Sequence, residues 1–243
     1  MEIKRFFIDS TAFDGENFTI TGEEFYHMTK VLRHKVGFKI IVCLNDGYDY
    51  YATITSINKD SVIAHLDEKV FNEAKTKCNV TLMQALPKGD KFDFICQKCV
   101  ELGVSNIIPF VSHNTNETNV NYSRAMRIML EACKQCGRSR ISHIDELTTF
   151  DGIVQLTANY DLVLMAYEHE SVAVLGDHLN SIAAANNIAI IIGSEGGFTE
   201  EEYKVLKSNG VKTFSLGKRI LRAETASIVA CSLIMYLKGE MNL

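Results

Sequence analysis

The chain has 243 residues, 47% of them apolar, and a formal net charge of −5. That length suits one or two globular domains with a sizeable core, and the acidic balance argues against nucleic-acid binding by bulk attraction. No window holds 18 consecutive apolar residues and the opening MEIKRFFIDSTAFDGENF lacks the apolar stretch of a signal peptide, so neither a membrane span nor export is expected and a cytoplasmic protein is.

Residues 1–70 read as mostly β. EEFYHMTKVLRHKVG (23–37) predicts a short helix ending at Gly37. FKIIVCLNDGYDYYATITSI holds two β-rich runs around Asp46-Gly47, a hairpin signal, and after the turn NKDS (58–61) VIAHLDEKV predicts a third strand. A small barrel or sandwich-like domain follows. FNEAKTKC (71–78) is polar and without periodicity, which places the boundary between residues 1–72 and 73–243.

Beyond it the pattern alternates. NVTLMQAL (79–86), NIIPFVS (106–112), DLVLMAY (161–167), IAIIIG (188–193) and VKTFSLG (211–217) predict strands. GDKFDFICQKCVELGV (89–104), with apolar residues at 92, 95, 99 and 102, predicts a helix, as do YSRAMRIMLEACKQCG (122–137), EEEYKVLKSNG (200–210) and AETASIVACSLIMYLKG (223–239). Strands alternating with helices imply parallel pairing and an α/β layer. Charge is polarised as well. Residues 123–143 carry Arg124, Arg127, Lys134, Arg138 and Arg140 against Glu131 alone, whereas residues 141–203 carry eleven acids and no Lys or Arg.

Two loops carry the chemistry. IIIGSEGGFTEEE places Gly193, Gly196 and Gly197 just past a strand, where α/β sheets bind ligands. The pattern is G-x-x-G-G, not G-x-G-x-x-G, and no G-x-x-x-x-G-K-[ST] occurs, which disfavours a Rossmann dehydrogenase and a P-loop enzyme. Thr199 and Glu202 form a capping box, and Glu195, Glu200, Glu201 and Glu202 crowd the helix start where a phosphate would sit. A neutral or cationic ligand fits better than a polyphosphate. The other reading is a glycine turn that serves backbone geometry alone. The second loop, SLGKRILRAETAS (215–227), sets Lys218, Arg219 and Arg222 before Glu224 at the next strand end. It reads as a second pocket wall, or as an ordinary connection with solvated cations.

Seven cysteines (43, 78, 96, 99, 133, 136, 231) argue against a disulfide framework. The pairs Cys96/Cys99 and Cys133/Cys136 have C-x-x-C spacing, but 33 residues separate them and both lie in helical patterns, so no metal is expected. His27 and His34, among Lys30, Arg33 and Lys35, suit either a nucleic-acid surface or the solvated face of a short helix.

Together these stretches resemble the RsmE-type methyltransferases of the SPOUT superfamily, which methylate uracil N3 in 16S ribosomal RNA. The two loops look like that family's signature loops, RFFID and HMTKVLRHKVG like its N-terminal domain, ALPKGDKFDFICQKCVELGV and EACKQCGRSRI like two further segments. The resemblance implies a PUA-like RNA-binding β-barrel domain (1–72), then a SPOUT α/β domain (73–243) with a C-terminal trefoil knot, a topology that general rules of chain connection would not suggest. It also implies a homodimer, S-adenosylmethionine as methyl donor, and 16S rRNA or the small ribosomal subunit as partner.

Carried onto this chain, the resemblance puts the cofactor on Ala166, Tyr167 and Glu168, on Ile192, Gly193, Gly196 and Gly197, and on Ser215, Leu216, Gly217, Ile220, Leu221, Arg222, Ala223 and Thr225. Ile220, Leu221 and Ala223 would pack the adenine. Arg222 is the candidate cation near the uracil carbonyls, with Glu224 or Glu195 to orient it or accept a proton; Arg5, Lys30, Arg33, Arg138 and Arg140 are candidates for RNA phosphates. Three positions depart from the family: Ser194 and Lys218 stand where proline is usual, and Ala223 where threonine is. The first two lose backbone rigidity, so lower cofactor affinity is expected. The alternatives are a SPOUT enzyme for another rRNA or tRNA nucleotide, and a non-catalytic RNA-binding ribosome-assembly protein.

Overall fold

A computed structural model describes residues 3–242. The chain forms two compact units: one runs to Lys75 and takes back Cys133–Ile141, the other holds Thr76–Ala132 and continues from Ser142.

The first unit contains β1 (Arg5–Phe7), β2 (Asn17–Ile20), α1 (Gly22–Tyr26), β3 (Lys39–Cys43), β4 (Tyr48–Ile57) and β5 (Val62–Phe71). The sheet order is β1-β3-β4-β5-β2, parallel between β1 and β3 and antiparallel elsewhere. Inward residues of all five strands, among them Phe6, Phe18, Ile40, Ile54 and Val62, share one core with Met28. The sheet is thus a half-barrel, with β1 and β2 as its edges. The expected hairpin joins β3 to β4, with Asn45 and Gly47 at positive φ and the Asp46 carboxylate accepting from the Tyr48 N–H at 3.1 Å.

The expected helix over 23–37 is shorter. α1 passes into one π-helical turn, His27–Val31, and stops. Arg33 takes φ +56° and the His34 N–H reaches back to the Met28 carbonyl at 3.0 Å, which closes the helix end as a left-handed cap does. Gly37 is drawn instead to β4, donating to the Ile54 carbonyl at 2.8 Å.

The second unit contains β6 (Asn79–Ala85), α2 (Lys91–Glu101), β7 (Asn106–Val111), β8 (His143–Ile144), β9 (Thr148–Thr149), α4 (Phe150–Leu156), β10 (Leu162–Ala166), α5 (Leu179–Ala184), β11 (Asn187–Ile192), α6 (Glu200–Ser208), β12 (Lys212–Phe214) and α7 (Ala223–Leu237). The helix α3 (Tyr122–Cys136) begins in this unit and ends in the other. The sheet is wholly parallel, ordered β12-β10-β11-β6-β7-β8, with β9 also pairing β7. Met83, Ala85, Val163, Met165, Ala189 and Ile191 bury one face against Ile153 of α4 and Leu206 of α6. α7 packs on β6, β11, α2 and α5. A sheet covered on both faces explains the unbroken apolar runs of β10 and β11.

The α/β expectation holds, while several lengths do not. The strand expected over 211–217 is only the three residues of β12, because the chain turns away before Gly217, at φ +100°. α4, α5, β8 and β9 lie where the sequence shows no pattern long enough to read. Both C-x-x-C pairs lie within helices, α2 and α3.

Candidate functional site

β12, β10 and β11 are neighbours and parallel, so their carboxyl ends share one edge of the sheet. The loops leaving them enclose a cleft of ≈ 330 Å³. Its walls are 166–168 after β10, 192–195 with Gly197 after β11, and 215–223 with Ala226 after β12. Of the expected cofactor residues, the cleft gathers Ala166, Tyr167, Glu168, Ile192, Gly193, Gly197, Ser215, Leu216, Gly217, Ile220, Leu221, Arg222 and Ala223. Gly196 and Thr225 are not on its surface. Thr225 is solvent-exposed on the first turn of α7, and Gly196 turns toward Asn114, whose Nδ2 donates to its carbonyl at 2.9 Å.

The first two loops meet at Gly197. It sits at φ +61°, a backbone conformation that favours glycine, and a Cβ there would fall 1.8 Å from Glu168 Oε1, so any other residue would also displace the Glu168 carboxylate. The Gly197 N–H donates to the Ser194 carbonyl at 3.0 Å, closing a tight turn. The third loop is tied down by the Ser215 N–H on the Ala173 carbonyl at 2.9 Å and by a parallel bridge between Val174 and Ser215.

The acids at the start of α6 do not face one ligand together. Glu202, 7% exposed, completes the expected capping box with Thr199 and accepts the His113 N–H at 2.8 Å. Glu200 pairs with Lys204 at 2.7 Å on the surface. Glu195 lines the cleft but is ion-paired with Lys91 and accepts the Lys88 N–H at 3.2 Å. Burial raises its pKa, yet the hydrogen bonds from Lys91 and Lys88 outweigh this and hold the carboxyl below its ordinary value. Two carboxylates, Glu168 and Glu195, therefore line the cleft opposite Lys218, Arg219 and Arg222.

Two catalytic expectations change. Glu224 is not on the cleft wall: it points elsewhere from the first turn of α7, and its buried Oε2 has no hydrogen-bond partner. Glu195, held anionic by Lys91, is a weak proton acceptor, since a useful general base has a pKa near the working pH. Arg222 is solvent-exposed at the N-cap of α7, on the cleft, and makes no capping bond with its side chain. Ile220 is at the rim and 87% exposed, so it is not packed within the protein; Leu221 is half-buried and Ala223 buried.

Gln84 belongs to the site although no sequence motif marks it. This side chain, fully buried at the carboxyl end of β6, accepts the Ser227 hydroxyl and donates to the carbonyls of Ala85 at 2.8 Å and Gly193 at 3.3 Å. It ties the β11 loop to α7, and the signal was there: one amide inside an apolar strand has to find partners.

In the first unit, Lys30, Arg33 and Arg140 are exposed. Arg5 and Arg138 are not RNA-facing cations. Arg5 lies on Asp49, with Nη2 to Oδ2 at 2.7 Å, beside Ser139, and Asn72 Nδ2 donates to Asp49 at 2.9 Å. Burial raises the Asp49 pKa, but the hydrogen bonds from Arg5, Ser139 and Asn72 prevail and leave it lowered. Arg138 is 7% exposed, and burial pushes its guanidinium pKa down.

Comparison with known proteins gives the following. A family described as RNA methyltransferase domain matches residues 74–235, and one described as RNA methyltransferase PUA domain matches residues 20–67. Ribosomal RNA small subunit methyltransferase E of Bacillus subtilis (strain 168) is 32% identical over 98% of this chain and 100% of its own. The protein of that name from Rickettsia conorii is 31% identical over 98% and 97%. A crystal structure of ribosomal RNA small subunit methyltransferase E from Neisseria gonorrhoeae bound to S-adenosyl methionine superposes with a TM-score of 0.87 at 26% identity, covering 97% of this chain and 98% of that one.

Proposed function

Because the chain belongs to the RNA methyltransferase family, together with the proteins called ribosomal RNA small subunit methyltransferase E, we propose that it methylates uracil N3 in 16S rRNA of the small ribosomal subunit. It is an S-adenosylmethionine-dependent rRNA methyltransferase of SPOUT type with a PUA-like first domain. The observation that carries this reading is the cleft itself, built from loops at three adjoining parallel strand ends.

The cleft fits the cofactor. The close approach of the first two loops at Gly197 sets the Glu168 carboxylate on the cleft, where with Glu195 it suits a cationic sulfonium. When bound, S-adenosylmethionine supplies an electrophilic methyl group. Residues 166–168, 192–195 with Gly197, and 215–223 would hold it, chiefly through backbone groups, with Leu221 and Ala223 as the apolar wall. Arg222 is placed to stabilise the charge that the uracil carbonyls gain as the N3 proton leaves. Glu195 serves as a fixed anion rather than as the proton acceptor. The target base has to leave its stack to enter.

Residues 1–72 with the returning segment 133–141 are assigned to RNA and the rest of 73–243 to methyl transfer, with Lys30, Arg33 and Arg140 on phosphates. The reading includes the knot, which rests on membership of the family. It also includes a homodimer, supported by Leu233 and Tyr236 of α7, 38% and 62% exposed. No helix among the described residues is long and apolar enough to cross a membrane, and a cytoplasmic site of action is part of the proposal.

The test is to delete the gene and map methylated nucleotides of the small-subunit rRNA. Loss of a single 3-methyluridine, restored by the wild-type chain, is expected. An unchanged rRNA pattern, or a missing tRNA mark instead, overturns the reading.

A further inference from the structure

The cofactor loop after β11 is braced by a loop to which no role has been assigned. β7 is separated from β11 by β6, yet the turn that follows it, Ser112–Thr115, crosses the end of β6 to meet residues 194–202. The turn is stiff in itself: the Thr115 N–H donates to the Ser112 carbonyl at 3.0 Å, the Ser112 N–H to the Thr115 hydroxyl at 3.0 Å, and the two hydroxyls lie 2.8 Å apart. Two bonds then reach the cofactor loop and a third the helix α6 that follows it. The Ser194 hydroxyl donates to the Asn114 carbonyl at 3.3 Å, Asn114 Nδ2 to the Gly196 carbonyl at 2.9 Å, and the His113 N–H to Glu202 at 2.8 Å. The fit is close, since a Cβ on Gly196 would stand 2.7 Å from the Asn114 Cβ.

Ser194 lines the cleft and is 8% exposed, while Asn114 does not touch the cleft. A proline at 194 would fix φ and stiffen the turn through the chain itself. Serine cannot do that, but its hydroxyl lets the turn be stiffened from outside. We propose that Asn114 and Ser194 form a positioning pair, in which Asn114 holds the Gly193–Gly197 turn in its cofactor-binding shape and so replaces the rigidity that a proline at 194 would supply. This rests on the assignment of the cleft to S-adenosylmethionine, and it reverses the expectation that Ser194 simply weakens binding.

The experiment is calorimetric titration of the purified full chain with S-adenosylmethionine, alongside thermal unfolding of each variant. Wild type should bind; if it does not, the cofactor assignment fails, whatever the variants do. With binding established, Asn114→Ala should weaken it about fivefold, as expected for the one hydrogen bond its side chain makes to Gly196, and raise the KM for the cofactor more than it lowers kcat; the bond from Ser194 is to the Asn114 main-chain carbonyl and survives. Ser194→Ala, which leaves the backbone untouched, should weaken it about threefold. The decisive variant is Asn114→Ala/Ser194→Pro, which should return affinity to within about twofold of wild type. A merely structural role would lower the unfolding temperature of Asn114→Ala and leave affinity as it was. That result overturns the proposal, and so does a proline that restores nothing.

Discussion

The Ser227 hydroxyl donates to the side-chain carbonyl of Gln84, joining the first turns of α7 to the end of β6 inside a fully buried layer. The Ala223 carbonyl, 2.9 Å from the same hydroxyl, shares its one proton, and the Gln84 amide reaches Gly193. Two walls of the cleft are thus set by one buried amide.

Removing Ser227 tests that dependence. Ser227→Ala leaves the Gln84 carbonyl oxygen buried without its donor, which should cost about 1–3 kcal/mol of stability. Urea unfolding of the full chain measures it, and S-adenosylmethionine affinity should fall as well. A variant with wild-type stability and affinity would show that the amide sets neither wall.

Arg222→Ala should separate chemistry from binding. The side chain is exposed on the cleft and makes no capping bond, so its loss should leave fold and cofactor affinity near wild type. Turnover on small subunits should fall about a hundredfold or more. Near-normal turnover excludes the role.

Gly197→Ala should damage the cleft directly. A left-handed φ costs a non-glycine residue about 1–3 kcal/mol, and the added methyl meets Glu168. Cofactor affinity should fall about tenfold in calorimetry, through the φ strain and the displaced Glu168 carboxylate. Wild-type affinity in this variant would remove the Gly197 turn from the binding site.

Lys91→Ala should move a pH limb. Lys91 helps hold the Glu195 pKa down against burial, so the variant's carboxyl titrates at higher pH. A cationic ligand loses this attraction as pH falls through the Glu195 pKa, so the acid-side loss of S-adenosylmethionine affinity should begin at higher pH than in wild type. Superimposable pH profiles would remove Glu195 from the binding energetics.

Acid should act on the first unit through Asp49. Its folded pKa is lowered and its unfolded value is about 4. The stability it contributes is therefore complete above about pH 4 and is lost as pH falls through the folded value. Asp49→Asn should be less stable at pH 7, where Arg5 loses its counter-charge, and should show a flatter decline in urea midpoint toward pH 3. A decline parallel to wild type would refute the assignment.

The sequence made the strand ends and glycine loops of the cleft legible because a parallel sheet covered on both faces writes itself as long apolar runs. Side-chain pairing was not legible. Arg5 and Arg138 looked like RNA contacts because charge is visible in a sequence and burial is not. Glu195, Glu200 and Glu202 read as one acidic cluster, yet each turns to a different partner, two of them remote or backbone groups. Gln84 and Asn114 escaped notice because their partners, Ser227 and Gly196, lie 143 and 82 residues away along the chain.

Residues Cys133–Ile141 belong to the first unit, where Ser139 and the Gly137 carbonyl complete the setting of Arg5, Asp49 and Asn72. The PUA-like unit is therefore not a portable cassette. A gene fragment that stops near Lys75 encodes the half-barrel without the clasp that secures it. Any transplantation of this unit between enzymes has to carry a second, distant piece of nine residues from the middle of the chain.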